Sequence, residues 1–292
     1  MGSGVMQEWY DQYKNLLFKL AYQLTGSAAD AEDVVQDVFL RIYDVPPERL
    51  TEPKAYLCKM VTNRCRDLHK SARKQREEYF GEWLPEPLAG TAPDAMESVV
   101  QDDLLSYAML VLLERLTPAE RTVFVLREAL GFEYQEIAEL VGKSGPNCRK
   151  LFSRASAKLG LVPEQPVQPE AVTEEWVHGF LAALKQGNLN ELLSLLDPAV
   201  ELISDGGGKV HAAAKPVVSA GLVAGFLLGP FRGAATMNGE VTIEVSRING
   251  QPGLLLRSED GIHTVGLLHL RDHLIQKLYI VRNPDKLQHI GR

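Results

Sequence analysis

Asn147, Lys150, Arg154 and Lys158 recur at helical spacing opposite an apolar stripe of Cys148, Leu151, Phe152, Ala155 and Leu159. Between Leu140 and Gly160 five residues are basic and none is acidic. Lysine and arginine pair with phosphate or bidentately with guanine, and asparagine pairs with adenine. The chemistry on offer is therefore recognition of DNA, not bond-making. The N-terminal part of such a helix meets base edges. That assigns Asn147, Arg149 and Lys150 to bases, and Arg154 and Lys158 to phosphate. A second concentration, Arg64 to Arg76, has six basic residues and one acid, Asp67. Two basic helical stretches fit a two-site nucleic-acid reader. Two solvated helix faces are the alternative.

The elements that must hold these residues are legible. Thr117-Pro118-Ala119-Glu120 starts a helix with a capping box and proline at its first position. Val123, Leu126 and Leu130 continue it until Gly131. Tyr134 to Leu140 predicts a short helix, Gly142 a tight turn, and Ser144 the cap of a helix running to about Leu159. The sum is a helix-turn-helix. Upstream, Glu8–Leu24, Ala29–Ile42 and a helix from Pro53 through the basic stretch are expected, the last with Tyr56, Leu57, Met60, Val61 and Leu68 inward.

Composition bounds the rest. The chain has 292 residues, 45% hydrophobic and 24% charged, with a net charge of -7. That suits two or three globular domains. The basic stretches are local features of an acidic whole. Three cysteines, Cys58, Cys65 and Cys148, make no disulfide framework and no zinc spacing, so no metal and no cofactor is called for. No apolar run is long enough to span a membrane, and a cytoplasmic protein is expected. Proline-rich breaks divide the chain into a helical domain 6–80, a linker 81–98, a helix-turn-helix domain 99–160, a linker 161–171 and a third domain 172–292.

Asp30-Ala-Glu-Asp-Val-Val-Gln-Asp-Val-Phe-Leu-Arg41 resembles region 2.2 of sigma-70-family transcription initiation factors. Residues 54–70 resemble regions 2.3 and 2.4, and residues 116–159 resemble region 4. The missing region 3 resembles the extracytoplasmic-function class. Trp83-Leu-Pro-Glu-Pro87, Asp205-Gly-Gly-Gly-Lys209 and Asn283-Pro-Asp-Lys-Leu287 resemble signatures of the subgroup with a fused SnoaL-like domain. The resemblance implies two small helical domains followed by a cone-shaped α+β barrel. It implies core RNA polymerase as partner, through its β′ clamp helices and β flap, and promoter DNA, read at −10 by region 2 and at −35 by region 4.

Residue by residue, Asp30, Glu32, Asp33, Gln36 and Asp37 are then the polymerase-binding face. An acidic face suits a basic partner helix. At −10, Asn63 and Asp67 would hydrogen-bond an unpaired base while Arg64, Arg66, Lys70 and Arg73 track phosphates. The subgroup resemblance implies that the loop Asp205, Gly206, Gly207, Gly208 and Lys209 docks on the sigma core or on the linker around Trp83 and Pro85, and that the tail with Asn283, Pro284 and Asp285 holds or releases that arrangement.

In the third domain, helices are expected from Val172 to Leu196 and again from Lys215 to Leu228. Strands follow at 199–204, 241–248, 253–258, 263–269 and 274–281, in a curved antiparallel sheet, with Asn249-Gly250 as a hairpin turn. Asp205, His211, His263 and His269 are the candidates for an enzymatic reading, but no spacing secures an acid/base pair, and the protein is read as a non-enzyme. A small-molecule ligand in this domain stays open. So do a ligand-responsive helix-turn-helix regulator and a SnoaL-type enzyme fused to a DNA-binding module.

Overall fold

The computed structural model describes residues 2–43, 45, 50, 52–77, 79–88, 106–161, 171–233 and 242–290. The chain divides into two compact units. The first comprises Met1–Glu77, Val99–Leu105 and Met109–Pro166; the second comprises Glu78–Ser98, Ser106–Ala108 and Val167–Arg292. Among the described residues no helix is long and apolar enough to cross a membrane.

In the first unit, α1 (Gly2–Thr25), α2 (Ala28–Ile42) and α3 (Pro53–Glu77) pack on one another. Leu17, Leu20 and Leu24 of α1, Val34, Val38 and Ile42 of α2 and Leu57 and Val61 of α3 are all nearly fully buried. Ser27 starts α2 by accepting a hydrogen bond from the Asp30 amide at 3.1 Å. Tyr56 departs from the expected inward face: it is 39% exposed. Leu57 and Val61 already fill the core, and the neighbouring position turns toward a cleft that it lines with Lys59, Glu136 and Glu139.

After α4 (Tyr107–Leu113) come α5 (Pro118–Glu128), α6 (Tyr134–Val141) and α7 (Gly145–Leu159). The capping box at Thr117 and Glu120 is formed in both directions. Gly142 adopts φ 66°, so the turn between α6 and α7 takes a left-handed residue that a side chain would strain. Ser144 occupies the N-cap of α7, but its side chain makes no cap hydrogen bond. Phe124 and Phe152 stack at 5.7 Å to hold α5 on α7.

The second unit has α8 (Glu174–Gln186), α9 (Leu189–Ser194) and α10 (Ala220–Gly233) against a six-stranded sheet. The strands are β1 (Leu196–Asp205), β2 (Val217–Val218), β3 (Thr242–Ile248), β4 (Gln251–Ser258), β5 (Gly261–Arg271) and β6 (Leu274–Val281). Phe180, Leu184, Leu202, Val223, Leu268 and Leu278 lie in one core. This is the expected α+β, SnoaL-like arrangement with one correction: the order is β2-β1-β6-β5-β4-β3, and β1 pairs with β6 in parallel. Tight hairpins impose antiparallel pairing on β3 to β6, whereas the long excursion through α10 frees β1 from that constraint. Parallel pairing sets Asp205 beside Val281. The loops that follow β1 and β6 therefore leave the sheet together, which brings the Asp205 and Asn283 motifs side by side.

Candidate DNA-reading and docking surfaces

On α7, Asn147, Arg149, Lys150, Arg154 and Lys158 are all exposed, while Cys148, Ala155 and Leu159 are buried. Tyr134 of α6 lies under two guanidinium groups, Arg127 at 5.0 Å and Arg149 at 5.4 Å. Such contacts restrict the rotamers of Arg149. Lys158 donates to Glu120 at 2.6 Å. Burial would raise the Glu120 carboxyl, but Lys158 and Thr117 outweigh it and hold the carboxyl below its ordinary range. Lys158 thus already has an anion, which sets it apart from the other four.

On α2, Glu32, Asp33 and Gln36 are exposed and Asp30 and Asp37 are half-buried. Asp37 accepts from Arg64 of α3 at 2.9 Å. One residue expected to face polymerase and one expected to face DNA are each other's partners here. Asn63 is half-buried, and Arg66 and Asp67 are exposed. Lys70 and Arg73 lie on α3, but their side chains fall outside the described residues. Cys58 and Cys65 are buried and desolvation pushes both thiols up to about 12. Cys148 is buried as well, and none of the three forms a disulfide.

The docking residues converge within the second unit, on the buried carboxylate of Asp205. One oxygen accepts from the Tyr79 hydroxyl at 2.6 Å and the Gly207 amide at 3.0 Å. The other accepts from the Leu84 amide at 2.9 Å and Lys286 at 2.7 Å. Lys286, 6% exposed, also donates to the Leu84 carbonyl at 2.5 Å and sits 4.0 Å from the centre of the Trp83 ring. A buried charge pair is tolerated only when its remaining hydrogen-bonding groups are satisfied, as they are here. Burial and the hydrogen bond to Asp205 together raise the Tyr79 hydroxyl well above its ordinary value, so it stays a donor.

The glycines have distinct duties. A side chain on Gly206 would strike the Val210 carbonyl and the Ala212 methyl, and one on Gly207 would strike the Asn283 amide. Gly208, at φ 69°, passes over Phe80. Asn283 donates to the Tyr79 oxygen at 2.9 Å and accepts from the Asp285 amide, capping a short turn that starts at Pro284. Lys209 and Asp285 pair at 2.5 Å but are exposed, so the pair adds roughly 0–1 kcal/mol. The Pro85 carbonyl accepts from the Tyr107 hydroxyl at 2.7 Å, and Tyr107 packs edge-on against Tyr279.

Sequence reasoning passed over Tyr79, Leu84, Tyr107 and Lys286 as docking residues. It also missed a second anchor, where the Leu88 amide donates to the Asn249 side chain at 2.9 Å and the Asn249 amide returns a bond to the Leu88 carbonyl at 2.7 Å. Lys286 is the one cation of the Asn283–Leu287 motif, which is the signal that marks it. The Asn249-Gly250 pattern signals only the turn, which Asn249 does make, at φ 50°.

The enzymatic candidates do not assemble. Both carboxylate oxygens of Asp205 are taken by Tyr79, Gly207, Leu84 and Lys286, and His211 is exposed, its carbonyl accepting from Arg282. His263 pairs with the Ser258 hydroxyl at the exposed β4–β5 hairpin. Among the described residues no three His, Cys, Asp or Glu side chains form a metal cluster. His269 is half-buried, and burial first, then Lys277 and Arg271, depress its pKa below 6.5. The native state therefore holds it neutral while the unfolded chain takes a proton. Stability of the second unit should fall as pH drops through about 6.5 and level off below the depressed value. His269→Gln should flatten that part of the stability-against-pH curve, read by urea midpoints between pH 5 and 8.

Comparison with known proteins places these features in sequence order. Residues 9–75 match the family profile of Sigma-70 region 2, and residues 106–159 that of Sigma-70, region 4. The extracytoplasmic-function RNA polymerase sigma factor SigJ of Mycobacterium tuberculosis is 33% identical, over 95% of this chain and 91% of that protein. A probable sigma factor of the same class and species, SigI, is 30% identical over 94% and 92%. The crystal structure of M. tuberculosis SigJ superposes with a TM-score of 0.77 at 29% identity, covering 97% of this chain and 98% of that one.

Proposed function

Because this chain belongs to the extracytoplasmic-function sigma factors, transcription initiation factors and not enzymes, we propose that it binds core RNA polymerase and directs it to promoters read at two elements. The observation that carries this reading is the pairing of a region 2 match with a region 4 match whose basic helix α7 is exposed. The three-domain division is 6–80, 99–160 and 172–292, joined by 81–98 and 161–171. The exposed acids of α2, Glu32 and Asp33 with Gln36, meet a basic helix of the β′ subunit, flanked by Asp30 and Asp37. Region 4 meets the β flap. Asn63, Arg64, Arg66, Asp67, Lys70 and Arg73 serve the −10 element. Asn147, Arg149, Lys150 and Arg154 serve the −35 element, with Lys158 in reserve while Glu120 holds it. The work is cytoplasmic, where core polymerase is.

The C-terminal domain sets activity through its hold on residues 79–88. The supporting facts are the Asp205–Lys286 cluster and the Leu88–Asn249 bonds. A small molecule bound in this domain would act by tightening or loosening that hold.

The test is multi-round transcription by core polymerase with the full chain. Asp33→Lys is the clean probe, because Asp37 also faces Arg64. Charge reversal at a polar contact slows association mainly, so Asp33→Lys should lower apparent core affinity about tenfold, with the unfolding midpoint unchanged. Unchanged affinity would move the polymerase contact elsewhere. Tight operator binding with no polymerase dependence would replace the reading by a regulator acting alone.

A further inference from the structure

Lys158 and Arg149 stand on the same helix, α7, yet they are held in opposite ways. Lys158 is paired with the Glu120 carboxylate at 2.6 Å. Arg149 has no ion-pair partner among the described residues; it lies over a ring, its guanidinium carbon 5.4 Å from the centre of Tyr134. The difference matters for reading a base. A carboxylate occupies guanidinium N–H groups, and those bonds must break before the same donors reach guanine. An aromatic face attracts the cation through its quadrupole and takes up no donor. The N–H groups of Arg149 therefore stay available while its long side chain is drawn to one place.

The ring itself is fixed by its neighbours. Tyr134 opens α6, next to a capping box formed by Glu133 and Glu136. It packs edge-on against Phe152 of α7 at 6.0 Å, and Phe152 stacks at 5.7 Å on Phe124 of α5, which is 2% exposed. Phe124, Phe152 and Tyr134 thus form an aromatic column that runs from the core of the helix-turn-helix to Arg149. Arg127 lies over the same ring at 5.0 Å, but it has other partners: it donates to the Phe132 carbonyl at 3.0 Å and pairs with Glu133 at 2.9 Å. Of the two cations at Tyr134, only Arg149 keeps its donors free for a ligand.

We propose that Tyr134 is a specificity-determining positioning residue of the −35 reader: it aims Arg149 at its base pair without touching that base pair itself. The proposal rests on the reading of Arg149 as a base contact. Binding DNA orders a long, rotamer-rich side chain at a cost, and a side chain already confined by a ring loses less. The benefit falls on base reading in particular. Two parallel bonds to one guanine edge demand a single placement of the planar guanidinium. Attraction to phosphate is electrostatic and independent of sequence, so it makes no such demand. Loss of the ring should therefore cost discrimination between base pairs.

The test uses polymerase holoenzyme formed with the full chain, on a promoter that it transcribes and on single-base-pair substitutions across the upstream element. Arg149→Ala identifies the base pair at which preference is lost. Tyr134→Leu keeps an apolar body against Phe152 but removes the ring. It should lower the ratio of cognate to substituted binding at that same base pair by about 2- to 12-fold, the range set by ordering one long side chain. A merely structural role would weaken every promoter alike and leave the ratio as it was. Tyr134→Phe, which keeps the ring and loses the hydroxyl, should retain the preference. Tyr134→Leu added to Arg149→Ala should lower the ratio no further. Should Tyr134→Leu reduce the urea midpoint, Tyr134→Met makes the same comparison. Full preference without the ring, where Arg149→Ala loses it, would overturn the positioning role and leave the base contact standing. Equal losses from Tyr134→Phe and Tyr134→Leu would overturn it in favour of a direct contact by the hydroxyl. Preference undiminished at every base pair in Arg149→Ala would overturn the base reading, and the proposal with it.

Discussion

Lys286→Met should free residues 79–88 and lower the stability of the second unit by about 3–5 kcal/mol, the range for removing one partner of a buried ion pair. The reason is that Asp205 would remain fully buried with its cation gone. The tyrosine and the two amides still donate to it, but they carry no charge. Two readouts check the loss. The urea midpoint of the second unit should fall, and a protease should cut between Tyr79 and Leu88 at rates that track the open population. Adding Asp205→Asn to Lys286→Met should recover part of the stability, because no charge is then left unpaired. An additive double variant would mean that the pair is not coupled, and that the other bonds to residues 79–88 anchor the linker without it.

The second large effect is expected on α7. Arg149→Ala and Asn147→Ala should each weaken binding of polymerase holoenzyme to a cognate promoter by about 1–3 kcal/mol, roughly 5- to 150-fold, and flatten preference at one base pair of the upstream element. Arg154→Ala should weaken all sequences alike and reduce the salt slope by about one. Lys158→Ala should behave differently from both. It removes the counter-ion of Glu120, which is 4% exposed, so its main effect should be on folding. Glu120 has a depressed pKa, so its contribution is present at neutral pH and is lost as pH falls through that value. Equal loss of specificity from Arg149→Ala and Arg154→Ala would overturn the division into base and phosphate contacts.

Much of this was legible in the residues because local rules and tertiary packing agree. Thr117, Pro118 and Glu120 announce α5, and the structure forms the capping box. Gly142 announces the turn before α7 and takes the left-handed conformation. The strand from Leu274 to Val281 is bounded as its pattern predicts. What escaped was everything that depends on partners distant in sequence. Nothing local says that Leu196–Asp205 will lie parallel to the last strand, since parallel pairing is set by a long connection and not by a turn. Arg121 reads as one more charge on an amphipathic helix, yet it is buried against a carbonyl 98 residues away in the chain. Tyr56 fits a helical apolar stripe, but its neighbours Leu57 and Val61 fill the core first. Asn249 serves a turn in its own hairpin and a hydrogen bond to Leu88, and only the former has a sequence signature.

The span of the Asp205 cluster has a consequence for how the molecule is made. Its bonds join Leu84 to Lys286, a separation of 202 residues, and Tyr79 to Asn283, a separation of 204. Residues 79–88 leave the ribosome about 200 residues ahead of these partners. Closing a loop that long is slow and entropically costly, and contacts so distant in sequence form late. Through most of synthesis the linker must therefore wait with its tryptophan and backbone amides unpartnered, while the two helical blocks, rich in short-range contacts, are free to fold ahead of it.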